Sequence, residues 1–180
     1  MMIDSKQAEK QAVLSAASAL CAAARTAPKA CGIDHLDTAI VTGEDKARLA
    51  EEMRRIGESQ GEGGRIFVRD AGCVDASGAV VLVGAKYLTR GLGERCQLCG
   101  FESCAACQLA EATCIYAPMD LGIALGSAVA LATDLRVDNR IMFTIGKAAA
   151  ALRLLGEHTL VMGIPLSVSG KSPFFDRAQV

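Results

Sequence analysis

The sequence predicts an α+β fold in which a mixed or antiparallel sheet is flanked by helices. Three observations lead to this class: alanine-rich helical segments, short β-branched runs between them, and no strict alternation of the two. With 180 residues, 51% of them hydrophobic, the chain can bury one sizeable core. We therefore expect a single domain over residues 1–180.

The first half of the chain is predicted to hold two helices and three strands. Residues 5–25 are rich in alanine and contain no glycine or proline, which favours a helix. Residues 37–42 form a β-branched run typical of a strand, and apolar residues then recur at helical spacing over 43–57. Residues 65–69 and 79–84 are predicted as strands, and the second is apolar throughout, as in a strand covered on both faces.

The second half is predicted to hold three helices and two strands. Residues 106–116 and 118–133 have helical composition, and residues 147–155 form a shorter helix before a glycine. Residues 141–145 and 159–168 are apolar runs of strand length. Within the second helix, Gly122, Gly126 and Ala130 share one face, which predicts tight packing against another helix.

Composition excludes several classes of function. A net charge of −1 gives no electrostatic case for nucleic acid or an anionic membrane as partner. The sequence contains no uninterrupted run of about eighteen apolar residues, so a membrane span is not predicted. The first residues mix acidic and basic side chains, unlike a secretory signal, so we expect a reducing, cytoplasmic location in which the eight cysteines are not disulfide staples.

Four cysteines within a dozen residues are the main functional signal. Cys96, Cys99, Cys104 and Cys107 form two C-x-x-C pairs inside a Cys-rich segment, residues 94–108. A C-x-x-C turn directs two sulfurs at one centre, and the short spacer lets the second pair close on it. Thiolates are ligands that iron–sulfur clusters and zinc share. The sequence therefore predicts a metal centre.

Three interpretations of these cysteines remain open. Four ligands from one short loop with apolar neighbours suit an iron–sulfur cluster, most simply a 4Fe-4S cluster. Structural zinc also uses paired C-x-x-C turns, but usually with a longer stretch between them. Unligated thiols or disulfides within the loop are the third alternative. The spacing differs from that of bacterial ferredoxins, so the cluster type does not follow from it.

The other candidate residues carry weaker signals. His35 lies in a loop beside carboxylates, where it is a proton donor, a ligand or simply a solvated side chain. His158 follows a helix end and suits a capping role. Cys31 and Cys73 have no partner at motif spacing. Since the chain has no Ser–His–Asp order, Walker loop or G-x-G-x-x-G motif, catalytic residues stay unassigned.

Long stretches of the chain resemble an uncharacterised prokaryotic family described as containing a ferredoxin domain (domain of unknown function 2148). The resemblance rests on AARTAPKACGIDHLDTAIVTG, CQLCGFESCAAC, DLGIALGSAVALATDLRVDNRIMFTIG and MGIPLSVSGKSPFFDR. It implies a ferredoxin-like, metal-binding segment and no assigned activity.

A second resemblance concerns the fold. The AARTAP segment followed by a strand, and the final strand around GIPL, are similar to flavin-dependent nitroreductases. That family implies an α+β homodimer with flavin mononucleotide (FMN) at the subunit interface. The basic opening segment that grips the flavin phosphate there is absent here, so phosphate binding would fall on Arg25 and Lys29, or on Lys171 and Arg177.

These observations predict an iron–sulfur redox protein that transfers electrons or acts as a nitroreductase-like oxidoreductase. Its electron donor or acceptor is unknown, and flavin is a possible second cofactor. The alternative is a zinc-binding structural or interaction module without catalysis.

Overall fold

The fold is a four-stranded antiparallel sheet between two layers of helices. The structure, a computed structural model, describes residues 2–156 and 160–175. Within these residues the helices are α1 (Ser5–Thr26), α2 (Gly43–Ser59), α3 (Arg65–Ala76), α4 (Cys104–Leu109), α5 (Tyr116–Asp134) and α6 (Phe143–Ala151). The strands are β1 (Leu36–Val41), β2 (Ala79–Ala85), β3 (Asp138–Asn139) and β4 (Leu160–Ser167). The predicted α+β class with flanking helices is confirmed.

The strands are ordered β1-β2-β4-β3, and every pairing is antiparallel. Alternate residues of the central strand β2 point to opposite faces. Val81 and Val83 join α1 and α5 in one hydrophobic cluster, whereas Val80 and Leu82 join α2, α3 and α6 in the other. All of β2 is buried, as its continuous apolar run predicts.

Two predicted strands are helical in the structure. Residues 65–69 begin α3, because Phe67, Ala71 and Val74 continue as a buried face at helical spacing over a window longer than the apolar run itself. Residues 141–145 also do not form a strand. Met142 makes only an isolated bridge with Gly163, and α6 begins at the next residue and buries Ile145.

The predicted helix over 106–116 is interrupted. Helix α4 ends at Leu109, the backbone reaches a left-handed φ of 49° at Glu111, and α5 begins only at Tyr116. The break leaves Cys114 between two helices rather than inside one. The residues that carry the cysteines therefore form a compact loop instead of one continuous helix.

The face of α5 that carries Gly122, Gly126 and Ala130 does not pack against the core. The opposite face does. Its buried residues include Asp120, Leu121 and Leu125, and it packs against α1. Gly122 and Gly126 are exposed, and a Cβ atom at either position would meet no atom within 4 Å. The predicted tight packing of this face is thus not made within the chain. By length and composition alone α5 could also cross a membrane, but 39% of it is buried inside this fold.

Candidate metal centre

Residues 86–116 connect the end of β2 to the start of α5 and are called the cysteine segment below. They contain the predicted Cys-rich segment, residues 94–108. The cysteine segment leaves the sheet where Ala85 pairs with Leu36, at the beginning of β1. It then forms a 3₁₀ turn at Gly93–Arg95 and the short helix α4. The ends of the segment are therefore fixed by the core, while its middle folds on itself.

All four motif cysteines line one cavity inside this segment. The cavity is walled by residues of the cysteine segment alone, and most of its surface is apolar. A fifth cysteine, Cys114, lines the same cavity. The complete lining is Thr89, Arg90, Leu92, Gly93, Cys96, Gln97, Cys99, Phe101, Ser103, Cys104, Cys107, Cys114, Ile115 and Tyr116. The structure thus brings together the residues that the motif spacing predicts.

Local structure explains how the two C-x-x-C pairs face the cavity. Ser103 caps α4 by accepting a hydrogen bond from the backbone N–H of Ala106, at 3.2 Å. Cys104 and Cys107 then lie three residues apart on α4 and so share one side of it. The first pair lies on a turn closed by the Gly100 N–H, which donates to the Gln97 carbonyl at 3.0 Å.

The deepest thiols of the cavity are those of Cys107 and Cys114, which are 0% and 7% exposed. Burial, a hydrogen bond with Cys99, and the nearby thiols of Cys99, Cys114 and Cys104 raise the pKa of Cys107. A raised pKa keeps the thiol protonated in the metal-free protein. All eight cysteines of the chain are free rather than paired in disulfides.

Tyr116 lies at the other end of the cavity, beside Cys96. The charge of a Cys96 thiolate, burial and the hydrogen bond between the two side chains raise the pKa of the Tyr116 phenol. Cys31 and Cys114 raise it further, so Cys31 is also close to this residue. Cys31 is exposed and has a left-handed φ of 56°.

The thiols fit a thiophilic metal or cluster by their chemistry, although they are not closed around one point. Among residues 2–156 and 160–175, no group of three His, Cys, Asp or Glu side chains is placed to hold one metal ion. Five free thiols nevertheless line one largely apolar cavity, and thiolate sulfur is the donor that iron–sulfur clusters and zinc select. Binding would require side-chain and local backbone movement in this loop.

A buried polar network joins the start of the cysteine segment to α5 and to the turn before β1. Arg90 donates from Nε and Nη2 to Oδ2 of Asp120, at 3.3 and 3.1 Å. Its Nη2 also lies 2.5 Å from Nε2 of His35, and Nη1 donates to the Leu88 carbonyl. All three charged or polar residues are nearly inaccessible, with Arg90 4% exposed. Asp120 also accepts from the backbone N–H of Ala30 at 3.0 Å, which anchors the turn that carries Cys31.

These contacts assign the hydrogen on His35. Its Nδ1 lies 3.0 Å from the Ile33 carbonyl, which can only accept, so Nδ1 carries the hydrogen. Its Nε2 then accepts from Arg90. His35 is 3% exposed, so the alternative of a solvated loop side chain is wrong. Its contacts fit a positioning role next to the cavity.

The predicted phosphate-binding cations have other contacts in the structure. Arg25 makes a two-point ion pair with Asp34, at 2.8 and 2.5 Å. Lys29 donates to the carbonyls of Arg25 and Ala27, at 2.6 and 3.0 Å, and so caps the end of α1. Lys171 is exposed on the loop after β4, and Arg177 lies outside the described residues. Flavin binding by these four residues stays a prediction.

Sequence reasoning did not single out Cys114, Tyr116, Arg90 or Asp120. One signal was available for Cys114, since five of the eight cysteines fall within 19 residues of one another. Nothing local marks Arg90 and Asp120, which meet across 30 residues of chain. Cys73 lies in the core of the second helical layer, and His158 is outside the described residues.

Comparison with known proteins places the chain in a family. Residues 110–177 match the family described as uncharacterized proteins containing a ferredoxin domain (DUF2148). An uncharacterized protein of Archaeoglobus fulgidus is 41% identical over 99% of this chain and 98% of its own length. The chain belongs to the DUF2148 family. The matched region of this DUF2148 protein begins after Cys107 and includes Cys114.

Solved structures define the fold of this DUF2148 protein as nitroreductase-like. A Bacteroides fragilis nitroreductase with bound FMN matches 100% of this chain and 85% of its own, with a TM-score of 0.58 and 15% identity. An FMN-bound nitroreductase of Desulfitobacterium hafniense matches 95% and 81%, with a TM-score of 0.54 and 18% identity. The hypothetical oxidoreductase YcnD of Bacillus subtilis gives a TM-score of 0.53 at 18% identity, and the chain spans 58% of it. The predicted likeness is confirmed at the level of fold.

Proposed function

We propose that this DUF2148 protein is a redox protein whose motif cysteines bind an iron–sulfur cluster, most simply 4Fe-4S. The observation that carries the proposal is that Cys96, Cys99, Cys104 and Cys107 line one cavity as free thiols. The ferredoxin-domain description of the family and the nitroreductase-like fold support the same redox role. A bound cluster supplies one-electron transfer.

The chain's own residues would serve such a centre in three ways. The thiols hold it, with protons released to solvent as each sulfur binds. The apolar side chains of Leu92 and Phe101 limit access of water to the cavity. Arg90, through its buried ion pair with Asp120, would hold the wall of the cavity in place against α5.

The test is anaerobic purification followed by metal analysis, sulfide analysis and an absorption spectrum. We expect a brown protein that contains iron and acid-labile sulfide and bleaches on addition of dithionite. Cys104→Ser should lose iron, whereas the matched control Cys73→Ser, which changes a core thiol outside the cavity, should keep it. Stoichiometric zinc without iron would instead support a structural or interaction module, in which chelation unfolds the loop without a redox signal.

A flavin site is the second proposal, and the FMN named for two structural neighbours supports it. The candidate residues are Arg25, Lys29, Lys171 and Arg177. If flavin is bound independently of the metal centre, a variant with all four motif cysteines changed to serine should remain folded and yellow. A folded, colourless variant that does not bind added FMN contradicts this proposal.

We also propose that the protein is a cytoplasmic homodimer. The exposed apolar side chains on α5 support self-association, because Met119 and Ile123 are 46% and 43% exposed beside Gly122 and Gly126. The partner that donates or accepts electrons is not assigned. The net charge of −1 favours neither nucleic acid nor an anionic membrane.

A further inference from the structure

A second pocket lies beside the cavity of the motif cysteines, which is called the thiol cavity below, and opens to solvent. Five residues line this second pocket, called the outer pocket below: Leu92, Arg95, Cys96, Leu98 and Tyr116. Leu92, Cys96 and Tyr116 also line the thiol cavity, so these three residues form a wall that the two spaces share. Arg95 and Leu98 line the outer pocket alone.

The two spaces differ greatly in size. The thiol cavity has a free volume of about 10 Å³, which is about the space that one water molecule needs. The outer pocket has a free volume of about 340 Å³, which falls within the range of small-molecule sites. A small organic molecule can therefore occupy the outer pocket, whereas the thiol cavity as it stands admits none.

The apolar part of the outer pocket suits a flat ring. Leu92 and Leu98 contribute aliphatic side chains, and Leu98 is 62% exposed. Tyr116 contributes an aromatic ring at the first position of α5. Aromatic side chains favour other rings in stacked or edge-to-face contact, and a ligand ring would remove exposed apolar surface of Leu98 from water.

The charge in the lining of the outer pocket comes from Arg95 alone. Arg95 is exposed, and within the described part of the chain its guanidinium makes no ion pair or hydrogen bond. Arg90, in the lining of the thiol cavity, is by contrast paired with Asp120. A planar guanidinium can bind a carboxylate or phosphate group through two parallel hydrogen bonds. The outer pocket therefore favours an anion.

We propose that the outer pocket binds a small aromatic anion, with the ring against Leu98 and Tyr116 and the acid group on Arg95. This binding goes beyond the proposed redox function and does not require the metal centre. If Cys96 holds a cluster as proposed, the bound molecule lies directly beside one of the sulfur ligands. That is the position from which a small redox partner reaches a centre that it cannot enter.

The experiment measures binding of 2-naphthoate, a bicyclic aromatic carboxylate, to the full-length protein as purified. Protein is titrated into this fluorescent probe, and the anisotropy of the probe's emission reports the bound fraction. The chain contains no tryptophan and only two tyrosines, so naphthalene emission can be observed with little protein background. The control ligand is 2-naphthylmethanol, which has the same ring but no charge.

We expect 2-naphthoate to bind with a dissociation constant of about 0.1–1 mM, and 2-naphthylmethanol to bind about tenfold more weakly. Arg95→Met should weaken naphthoate binding about tenfold, and Arg136→Met, which changes an exposed arginine outside the pocket, should not. Leu98→Asp should weaken it at least about tenfold, because the new carboxylate repels the ligand. Its matched control is Leu109→Asp, since Leu109 is 88% exposed at the end of α4 and lines neither space.

Arg95 and Leu98 are both exposed, so their variants should fold, and circular dichroism checks that they do. Equal naphthoate affinity of wild type and either folded variant overturns the inference. Equal affinity of wild type for the two ligands, or no binding of 2-naphthoate by wild type, overturns it as well. A protein that binds 2-naphthoate but neither iron nor zinc keeps this inference and loses the proposed metal centre, so the two failures are distinguishable.

Discussion

The thiol of Cys107 has to lose its proton before it can bind a metal, and its surroundings oppose that loss. Burial contributes most to its raised pKa, followed by the hydrogen bond and charge of Cys99 and by Cys114 and Cys104. Below the raised pKa, metal and proton compete for the same sulfur, so metal affinity should increase with pH. In the metal-free protein the sign is opposite. The thiol contributes stability that is present below the pKa of the unfolded chain and is lost as pH rises through the folded-state pKa.

We therefore expect Zn²⁺ affinity to increase from about pH 6 to about pH 8. Calorimetric titration in buffers of different ionisation enthalpy measures the protons released. Cys107→Ser should release about one proton fewer per metal bound. Cys73→Ser, whose thiol also has a pKa raised by burial but lies in the core, is the control and should release as many as wild type. Equal proton release by Cys107→Ser and wild type would contradict the role of Cys107 as ligand.

Asp120 is the residue that most directly holds the cavity to the core. It accepts from Arg90 at 3.1 Å and from the backbone of Ala30 at 3.0 Å, and it is 2% exposed. Asp120→Ala would leave the Arg90 guanidinium buried without its anion, which costs about 3–5 kcal/mol in comparable buried pairs.

Thermal or urea unfolding of the metal-free protein should show a free energy of unfolding that is lower by this amount for Asp120→Ala than for wild type. Asp134→Ala, an exposed carboxylate on the same helix, should change the free energy of unfolding by about 0.5 kcal/mol or less. Similar unfolding midpoints for the two variants would mean that the Arg90–Asp120 contact contributes little. A change of metal affinity without a change in stability would instead assign Asp120 a role at the cavity alone.

At the scale of elements, α6 and β4 approach each other as closely as two glycines allow. A Cβ atom at Gly146 would collide with the backbone carbonyl of Val161, and one at Gly163 would collide with the side chain of Ile145. Backbone cannot move aside as a flexible side chain can. These two positions therefore set the distance between the helix and the sheet.

Gly146→Ala should destabilise the protein by about 2 kcal/mol or more despite the higher helix propensity of alanine. Gly72→Ala is the matched control, because Gly72 is an exposed position inside α3 with no atom within 4 Å of the added Cβ. That change should stabilise by about 0.5–1 kcal/mol. Chemical denaturation compares them, and equal midpoints would show that α6 shifts without cost.

Elements whose stability comes from local composition could be predicted from the sequence. Helix α1 and strands β1 and β2 each arise from a stretch of uniform composition. Their predicted bounds differ from the observed ones by about one residue. The failures over 65–69 and 141–145 arose because a short apolar run fits a strand and a buried helical face equally well. Only the surrounding layers, which the sequence does not reveal, decide between the two.

The same distinction applies to the candidate site. Four cysteines within a dozen residues must lie near one another in any compact loop, so their meeting in one cavity could be predicted. His35 meets Arg90 across 55 residues, and Asp120 meets Ala30 across 90. Such contacts depend on the topology of the sheet. For Cys114, the deciding feature is the break between α4 and α5, which helical composition conceals.

At the scale of the whole molecule, α5 has an exposed apolar face that no other described element covers. The layer formed by α1 and α5 buries Leu121 and Leu125 against the sheet, but the opposite face of α5 carries Met119 and Ile123. Gly122 and Gly126 lie on the same exposed face and remove side-chain bulk, which would let a second helix approach closely. A second copy of the chain could present the same face, as a two-fold interface requires.

The proposed homodimer predicts that Ile123→Asp yields a monomer, because the aspartate would be buried without a partner at the centre of the interface. Light scattering coupled to gel filtration should give wild type about twice the 18.7 kDa mass of one chain. Ala47→Asp places the same charge on an exposed position of α2 and should remain dimeric. A wild-type protein that stays at 18.7 kDa at all concentrations contradicts the dimer. A folded Ile123→Asp variant that stays dimeric contradicts this choice of surface, since a carboxylate at its centre could not be accommodated without loss of affinity.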